Sequence, residues 1–522
     1  MGNRYWGKPY TLLKVESYRK GIVQSTLFNV INKGFVFLNS LAIAFYFGTQ
    51  LKVDLYFYSY NTVLLLVTFI NSLNSSVLIP ESMRIRKNED PGKVISFFNF
   101  FIYLYLTLTS LICFLFLLNP VNAFTCISNY DPAILRQEAS ILFLSVPLIL
   151  LVTLTTMLTD ILASYRFFTI PMIAGIINSI FSLLFIICFH KILDVRSISL
   201  GLLTSYTVNI IFLFVLLKKH VHWHFQFAWL SLGKKTWGNV AFAQIGNFVT
   251  TLGGYAPLYF LSGFGTGVIA ALNYAQQIST QPTSFITNQV AAVSRIKMSE
   301  LYVSSHFDQV NEIFLTTIKF LVFVLFPISG VVYLFADDIV IVLFKRGSFD
   351  ASSVKMSSDM LRYLALSLPF TAIISIVGNL YAAAQRIRVS IGYQILSNLL
   401  LISLVFFSLK WFGYVGYPIA FLGINALNVL VVYIFCRLYF QFIQYDLVLK
   451  YLLMMIVANA LIIFGLKILF MAIPHQGPWT NLIIGGTLYL ALMMGLNTAF
   501  NLNKDFSHYL SNFRQKLIGR KN

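Results

Sequence analysis

Residues 137–159 read QEASILFLSVPLILLVTLTTMLT, and this stretch decides the fold class. After Glu138 it holds no charged side chain over a length sufficient to cross a lipid bilayer. A transmembrane helix needs about 20 apolar residues, because each residue advances about 1.5 Å through a hydrocarbon core of about 30 Å. The stretch therefore predicts a membrane-spanning helix, and it contains the motif Leu144-Ser145-Val146-Pro147.

Similar apolar stretches recur along the whole chain. Of its 522 residues, 58% are hydrophobic and 11% are charged, and the mean hydropathy is +0.78. Soluble proteins carry about 25% charged residues, so this composition excludes a soluble globular fold. The sequence predicts an all-α polytopic membrane protein with about fourteen transmembrane helices. The predicted spans, numbered 1 to 14, cover residues 22–47, 54–79, 94–118, 137–159, 168–189, 199–217, 239–262, 266–290, 313–335, 360–382, 389–409, 413–436, 451–472 and 480–501.

Basic residues are distributed unevenly between the predicted loops. The chain has 37 Lys and Arg against 18 Asp and Glu, a formal net charge of +19. If the spans alternate in direction, 26 basic residues lie on the side of the N-terminus and nine on the opposite side. Positively charged loops stay in the cytoplasm. We therefore expect a bacterial inner-membrane protein with both termini cytoplasmic, whose positive charge serves topology rather than nucleic-acid binding.

The proline motif belongs to an internal repeat. Leu144-Ser145-Val146-Pro147 recurs as Leu366-Ser367-Leu368-Pro369. Each proline is followed by an Arg, 19 or 17 residues later, and each Arg by an Asn 12 residues further on. These pairs are Arg166 with Asn178 and Arg386 with Asn398. Spans 1–6 and 7–12 are therefore expected to form two six-helix lobes related by a pseudo-two-fold axis along the membrane normal. The expected segments are a cytoplasmic segment 1–21, an N-lobe 22–217, a cytoplasmic linker 218–238, a C-lobe 239–436, two C-terminal helices 451–501 and a basic cytoplasmic tail 502–522.

Four predicted spans carry stripes of polar side chains at helical spacing. They are spans 1, 2, 7 and 8, the first two helices of each repeat. A helix surrounded by lipid is apolar on every side, so the stripes predict faces turned toward a hydrated central cavity. For any single residue, a hydrogen bond that joins two helices is an equally good interpretation. The candidate substrate-binding residues are Asn29, Asn32, Lys33, Asn39, Asp54, Gln244, Asn247, Asn273, Gln277 and Asn288.

Lys33 is the strongest candidate for a substrate-binding residue, because it lies near the middle of span 1. A charge there costs about 3 kcal/mol on insertion scales, and a lysine side chain reaches the interface poorly from that depth. We expect Lys33 to meet an anionic substrate group such as phosphate, and the alternative is a structural pairing. Asp54, at the start of span 2, is a candidate partner or gate residue for Lys33, or else a helix N-terminal cap.

The sequence contains no signature of an enzyme or of a cofactor. It has no Walker-type phosphate loop, no cluster of His, Asp and Glu at metal spacing and no plausible catalytic triad. Its four cysteines have neither metal nor redox spacing, so we expect no disulfide and no metal. Transport would then depend on an ion gradient, the membrane potential or the substrate gradient itself.

Five groups of residues carry a resemblance to a known family. They are Phe344-Lys345-Arg346-Gly347-Ser348-Phe349-Asp350, Arg166-Phe167 with Ile170-Pro171 and Asn178, Phe47-Gly48 with Val53-Asp54, Leu272-Asn273-Tyr274-Ala275, and Asn425-Ala426-Leu427-Asn428. The first is similar to the Phe-x-Arg-Gly-x-Phe-Asp motif of the MurJ/MviN flippases for lipid-linked peptidoglycan precursors. That family lies within the multidrug/oligosaccharidyl-lipid/polysaccharide exporter superfamily. The resemblance covers nearly the whole chain.

This resemblance implies an alternating-access flippase with two lobes, a cationic cavity for a pyrophosphate and sugars, and a groove beside spans 13 and 14 for a polyprenyl tail. The chain departs from the family at the cavity arginines. The family's Arg-Asp, Arg-Arg and Asp-Arg pairs are replaced by Asn39-Ser40, Val67-Thr68 and Gln276-Gln277. Lys33 and Asp54 keep the expected charge type. Amides cannot replace the bidentate phosphate contacts of arginine, so such a cavity suits sugar hydroxyls.

The sequence therefore predicts a flippase that moves an undecaprenyl-linked glycan to the periplasmic leaflet, with an exopolysaccharide or O-antigen-like unit ahead of lipid II. Lys33 would meet phosphate, and the amides would contact sugars or water. Rival interpretations are a lipid II flippase proper, an inactive scaffold of a glycan-assembly complex, and a cation-coupled multidrug exporter, for which spans 1, 7 and 8 lack a carboxylate. Expected partners are the glycan, membrane lipids and, as candidates, a glycan polymerase or glycosyltransferases. We expect a monomer.

Overall fold

The computed structural model describes residues 18–88, 91–227, 234–472, 477–500 and 502–503. Within these ranges every regular element is a helix. Most of the predicted segment 1–21 lies outside the described residues, as do part of the linker 218–238 and nearly all of the tail 502–522. The chain divides into two compact units, Met1–Ile269 and Ala270–Asn522.

The first unit is a bundle of helices around an aromatic core. Its helices are α1 (Tyr18–Phe47), α2 (Leu51–Leu73), α3 (Ile79–Asn88), α4 (Pro91–Leu118), α5 (Pro120–Ile127), α6 (Pro132–Gln137), α7 (Ala139–Ser145), α8 (Leu148–Ser164), α9 (Ile170–Leu193), α10 (Arg196–Val221) and α11 (Lys234–Leu261). Phe97, Phe101 and Tyr105 follow at steps of four along α4, and they are buried in one cluster with Met157 and Leu158 of α8. A four-residue step places side chains on one face, so α4 buries a single stripe against α8.

The second unit has its own core. Its helices are α12 (Val268–Pro282), α13 (Asn288–Val303), α14 (Phe307–Leu334), α15 (Ala336–Phe344), α16 (Ala351–Leu366), α17 (Leu368–Ala383), α18 (Ile387–Phe412), α19 (Gly416–Tyr439), α20 (Tyr445–Ala472) and α21 (Pro478–Phe500). Phe314, Ile318 and Leu325 of α14 are buried in one cluster with Ile376 of α17 and Met455 of α20. Burial of these large apolar side chains holds α14 at the centre of the unit.

The multi-pass architecture is confirmed, although the count of fourteen spans is not. By length and composition, ten stretches of the described residues can cross a membrane, or eleven if the bent pair α16 and α17 is one span. One of the ten, Arg388–Tyr439, holds both α18 and α19. The polar helices α11 and α12 are not among the ten. Each predicted span nevertheless falls on a helix or a helix pair, so fourteen stays a prediction.

The proline motifs break one helix in each unit. In the first unit α7 ends at Ser145 and α8 begins at Leu148. In the second unit α16 ends at Leu366 and α17 begins at Leu368, with a bend of 46° between them. Proline lacks the backbone N–H that would continue a helix, so each motif places a break at the same step of the repeat.

Two further backbone features occur in both units. A π-helical turn follows α2 at Asn74–Leu78, and another follows α12 at Thr283–Thr287. The turns after α8 and α17 contain residues of positive φ, Arg166 at 69° and Gln385 at 53°. Residues other than glycine rarely adopt positive φ. These paired irregularities are what a structural repeat would produce.

The first unit includes α11, which the sequence repeat assigns to the second lobe. The reason is local packing, because α11 runs antiparallel to α2. Gly254 of α11 faces Leu65, whose Cδ2 would lie 3.0 Å from a Cβ at that glycine. The lobe boundary in 218–238 rests on repeat symmetry rather than on contacts, and it stays a prediction.

Candidate functional site

The polar side chains of α1 divide between two faces. Asn39 donates a hydrogen bond from Nδ2 to the carbonyl oxygen of Ser179 on α9, at 2.7 Å. Asn32, seven residues earlier and so on the same face, packs against Gly175 of α9. A Cβ at Gly175 would lie 2.6 Å from Asn32 Nδ2, so the glycine makes the close approach of the helices possible. These two candidates therefore join α1 to α9.

Lys33 lies on the other polar face of α1, and Asn29, three residues before Asn32 and four before Lys33, lies between the two faces; both side chains are half-buried. Lys33 follows Asn32 by one residue, and its side chain therefore leaves the helix about 100° away from the α9 contact. It has no ion pair with any of the described residues. Because Lys33 is only half-buried, part of its side chain is accessible to a ligand.

Asp54 lies in a buried cluster at the start of α2. It is fully buried, and the Tyr130 hydroxyl donates a hydrogen bond of 2.7 Å to its Oδ2. The Tyr130 ring meets the Tyr58 ring edge to face, with centroids 5.3 Å apart. The Gln50 side chain makes no cap hydrogen bond to α2. Asp54, the acidic residue in the first turn, instead interacts favourably with the helix dipole. The structure does not bring Asp54 to Lys33, because its carboxylate is enclosed among tyrosines.

The polar stripe of α11 contacts α2 along its length, and we call this contact the α2–α11 seam. Near one end, the Ser72 hydroxyl lies 3.1 Å from Gln244 Oε1. Near the other end, the hydroxyls of Tyr58 and Tyr255 both donate to the carbonyl of Ile127. Between them the rings of Phe69 and Phe248 meet edge to face. Gln244 is thus part of a helix contact.

Asn247 lies three residues after Gln244 on α11 and is half-buried. Its backbone carbonyl accepts a hydrogen bond from Thr251 Oγ1 at 2.8 Å. A spacing of three residues places Asn247 on the same side of α11 as Gln244. Its amide is therefore beside the seam.

The three candidates of the second unit lie on α12 and α13. Asn273 and Gln277 are half-buried and one turn apart on α12. Asn288 is exposed at the first residue of α13, directly after the π-helical turn. The three span the two helices on either side of that turn.

The segment Phe344–Asp350 has a structural role. Phe344 and Phe349 are buried against Tyr274 of α12, with ring centroids 5.2 and 5.3 Å from the tyrosine ring. Gly347 has φ of 59°, a backbone conformation that favours glycine. Asp350 caps α16, because its Oδ1 accepts hydrogen bonds from the Ser353 N–H at 2.8 Å and hydroxyl at 2.7 Å. The same bonds lower the pKa of Asp350. The motif thus fixes the turn between α15 and α16.

Sequence reasoning missed a polar cluster between the π-helical turn after α2 and α8. Asn74 Nδ2 donates to Asp160 Oδ2 at 2.7 Å, and the Tyr105 hydroxyl donates to Asn74 Oδ1 at 2.7 Å. Asp160 directly follows the predicted end of span 4, so it belongs to none of the predicted polar stripes. The signal in the sequence was a lone carboxylate next to an apolar helix that the structure extends to Ser164. Among the described residues, no group of three or more His, Cys, Asp or Glu could hold a metal ion.

Known proteins match this chain along most of its length. A family model described as "Lipid II flippase MurJ" matches residues 43–484. A probable lipid II flippase MurJ of Buchnera aphidicola subsp. Acyrthosiphon pisum is 23% identical over 73% of this chain and 76% of its own length. A protein of the same description from Borreliella burgdorferi is 22% identical over 81% of this chain and 82% of its own.

Solved structures match the fold. One described as "Lipid II flippase MurJ, inward closed conformation" has a TM-score of 0.77 at 15% identity, covering 92% of this chain and 98% of its own. An inward-facing multidrug resistance transporter of the MATE family has a TM-score of 0.65 at 13% identity, covering 80% of this chain and 97% of its own. The resemblance seen in the sequence motifs is confirmed, because the family model spans most of the chain. This multi-pass membrane protein belongs to the MurJ family, whose members are flippases for lipid-linked substrates.

Proposed function

We propose that this protein moves an undecaprenyl-linked glycan from the cytoplasmic to the periplasmic leaflet of a bacterial inner membrane, and that lipid II is the substrate to test first. Membership of the MurJ family supports a lipid-linked substrate. The curated relatives, which are described as probable lipid II flippases, support lipid II over the other glycans. This order of substrates reverses the one drawn from the sequence.

The position of Lys33 within α1 is the observation on which the proposal depends. It sits 15 residues after the start of a 30-residue helix, is half-buried and has no ion pair among the described residues. A partly exposed intramembrane cation is costly unless it meets an anion. The diphosphate of a lipid-linked glycan is such an anion, and it would leave Lys33 when the substrate reaches the periplasmic leaflet. Lys33 therefore acts as the phosphate contact, with Asn29 beside it one turn away.

The α2–α11 seam acts as a barrier in this proposal. Hydrogen bonds and ring contacts close it near both ends, from Ser72 and Gln244 to Tyr58 and Tyr255. A glycan head group cannot pass between α2 and α11 while these contacts hold. Transport would therefore require the seam to part, which is the alternating exposure expected of a carrier that rocks around a central site.

Complementation tests the substrate. The chain is expressed in a bacterium whose own lipid II flippase can be switched off, and growth is followed after the switch. We expect growth with the wild-type chain and with Lys33→Arg, and none with Lys33→Ala. Lys467→Ala is the matched control, because Lys467 is also a lysine within a helix but lies exposed on α20. Death of cells whose membranes contain the wild-type chain would reject lipid II.

A different lipid-linked glycan is the second candidate, and one observation favours it. Asn39 stands where the family has the arginine of an Arg-Asp pair, and its side chain is held by the Ser179 carbonyl. It therefore offers no charge to a diphosphate. If complementation of lipid II transport fails, loss of a surface polysaccharide on deletion of the native gene would support this candidate. Equal phenotypes for the wild type and Lys33→Ala would favour the inactive scaffold.

A further inference from the structure

The polar cluster between α2 and α8 joins a carboxylate to an irregular helix. Asp160 accepts its hydrogen bond from Asn74, which is 1% exposed and is the first residue of the π-helical turn Asn74–Leu78. Asn74 in turn accepts from Tyr105, which is fully buried. π-Helical turns are rare and often lie at functional sites. We call Asp160, Asn74 and Tyr105 the α8 joint.

The hydrogen bonds of the α8 joint suit a proton better than a metal ion. A metal cation would need several oxygen atoms that converge on one point. Here the Asn74 amide turns its N–H toward Asp160, and its oxygen is occupied by the Tyr105 hydroxyl. The carboxylate Oδ2 thus accepts one bond, which leaves acceptor capacity for a proton.

The charged groups around the α8 joint leave Asp160 without an ion pair among the described residues. Arg86 of α3 bonds instead to the carbonyl and hydroxyl of Ser164, and lies 4.0 Å from the centroid of the Tyr165 ring. His220 of α10 rests against the ring of Phe167, with centroids 4.9 Å apart.

The remaining polar groups near the α8 joint are neutral or exposed. Asn71 of α2 lies beside Asn74, with Asn71 Oδ1 3.4 Å from Asn74 Nδ2. Its own Nδ2 is buried without a hydrogen-bond partner among the described residues. Lys218 and Lys219, at the end of α10, are exposed. Keeping an unpaired carboxylate charged in this setting is unfavourable.

The second unit has an amide at a comparable position. Counted from the positive-φ residues Arg166 and Gln385 that follow α8 and α17, Asp160 corresponds to Asn379, one residue before the position given by pairing Arg166 with Arg386 in the sequence repeat. Asn379 Nδ2 donates to the carbonyl of Ala291, at 2.8 Å, four residues beyond the π-helical turn of that unit. An amide therefore satisfies the fold at this position. A charge is therefore not required at the corresponding position of the second unit.

We propose that Asp160 is a proton-binding residue that couples this protein to the proton gradient. A proton from water adds to a carboxylate oxygen and forms an O–H bond, and the same proton later returns to water. Protonation weakens the bond from Asn74, because hydrogen bonds to a charged acceptor are the stronger ones. Asn74 lies two residues from Ser72, which contacts Gln244 in the α2–α11 seam. Weakening of the bond between Asn74 and Asp160 would therefore also affect the seam, which has to open during transport. The coupling rests on the proposed transport function, whereas proton binding does not.

Infrared difference spectroscopy of the purified full chain in lipid tests the proton site directly. We expect the wild type to show a carboxylic-acid carbonyl band that grows as the pH is lowered through the titrated range, and we expect Asp160→Asn to lack that band. Asp194→Asn is the matched control and should keep the band, because Asp194 is paired with Lys52 at 2.7 Å. If Asp160→Asn does not fold, Asp160→Glu should shift the titration midpoint. A wild-type spectrum without a titrating band would overturn the proposal.

A second measurement separates this proposal from the proposed function. Growth in the complementation assay is followed over the same pH range, and the wild type should vary severalfold while Asp160→Asn varies little. Growth at every pH with identical profiles for the two proteins would reject proton coupling and leave the flippase intact. A titrating band with no complementation would reject lipid II and leave the proton site.

Discussion

The two polar faces of α1 both carry polar side chains, but only one of them packs against α9. On one face Asn32 and Asn39 meet Gly175 and the Ser179 carbonyl of α9. On the other face, about 100° away, Lys33 is half-buried and has no ion pair among the described residues. A polar stripe in a membrane helix is therefore not by itself a cavity wall. The first face should govern stability, and the second should govern transport.

Replacing Lys33 should give the largest effect. Loss of a charged hydrogen bond of about 1.5–3 kcal/mol lowers transport by about tenfold to a hundredfold. Lys33→Ala should therefore abolish complementation while its thermal unfolding in detergent stays near that of the wild type. Full transport by Lys33→Ala, with the protein in the membrane, would show that the face of α1 that carries Lys33 does not govern transport.

Gly175→Ala should give the next effect, on stability. The new Cβ would lie 2.6 Å from Asn32 Nδ2 and 2.9 Å from its Cγ, so the Asn32 side chain must move from its position against α9. Overpacking of this kind costs about 1–3 kcal/mol. Adding Asn32→Ala should restore much of the loss in a double-mutant cycle measured by thermal unfolding. If the second change restores nothing, Asn32 does not lie against α9.

Asn39→Ala should give a smaller change in stability. It removes one hydrogen bond to Ser179, and such bonds between membrane helices contribute about 0.6 kcal/mol on average. We expect a slightly lower unfolding temperature with transport retained. Asn29→Ala is its matched control on α1, one turn from Lys33, and it should lower transport without lowering stability. The reverse pattern would exchange the roles of the two faces.

The smallest effect concerns a polar residue far from both faces. The bonds from Ser353 to Asp350 lower the pKa of that carboxyl. A lowered folded-state pKa means that the stabilisation is present above the unfolded value of about 3.9 and is lost as the pH falls through the folded value. The unfolding temperature of Asp350→Asn should therefore depend less on pH than that of the wild type below about pH 4. Equal dependence would show that the cap contributes nothing.

The sequence allowed the class of fold and the breaks within it to be predicted. Apolar runs of about 20 residues decide membrane insertion, and Pro147 and Pro369 decide where two helices break, because both effects are local. The contact of Asn39 with Ser179 could not be predicted. Periodicity identifies the polar face of a helix, but it does not say whether that face meets a helix or water.

The α8 joint shows the same limit. Asp160 lies one residue beyond the predicted span 4, and nothing local in the sequence says that Asn74 reaches it from 86 positions away in the chain. Its pairing depends on the π-helical turn, which the hydrophobic pattern does not reveal. Spacing within one helix therefore predicted candidate residues, whereas the groups that they meet depend on tertiary packing.

Direct translocation by the purified protein tests the central claim that Lys33 contacts the phosphate of a lipid-linked glycan. The chain is placed in liposomes with lipid II, and the fraction of lipid II that reaches the opposite leaflet is measured for the wild type, Lys33→Ala, Lys33→Arg and Lys467→Ala. We predict translocation by the wild type, Lys33→Arg and Lys467→Ala, and at least a tenfold loss with Lys33→Ala, equivalent to about 1.4 kcal/mol. Equal translocation by the wild type and Lys33→Ala would contradict the account.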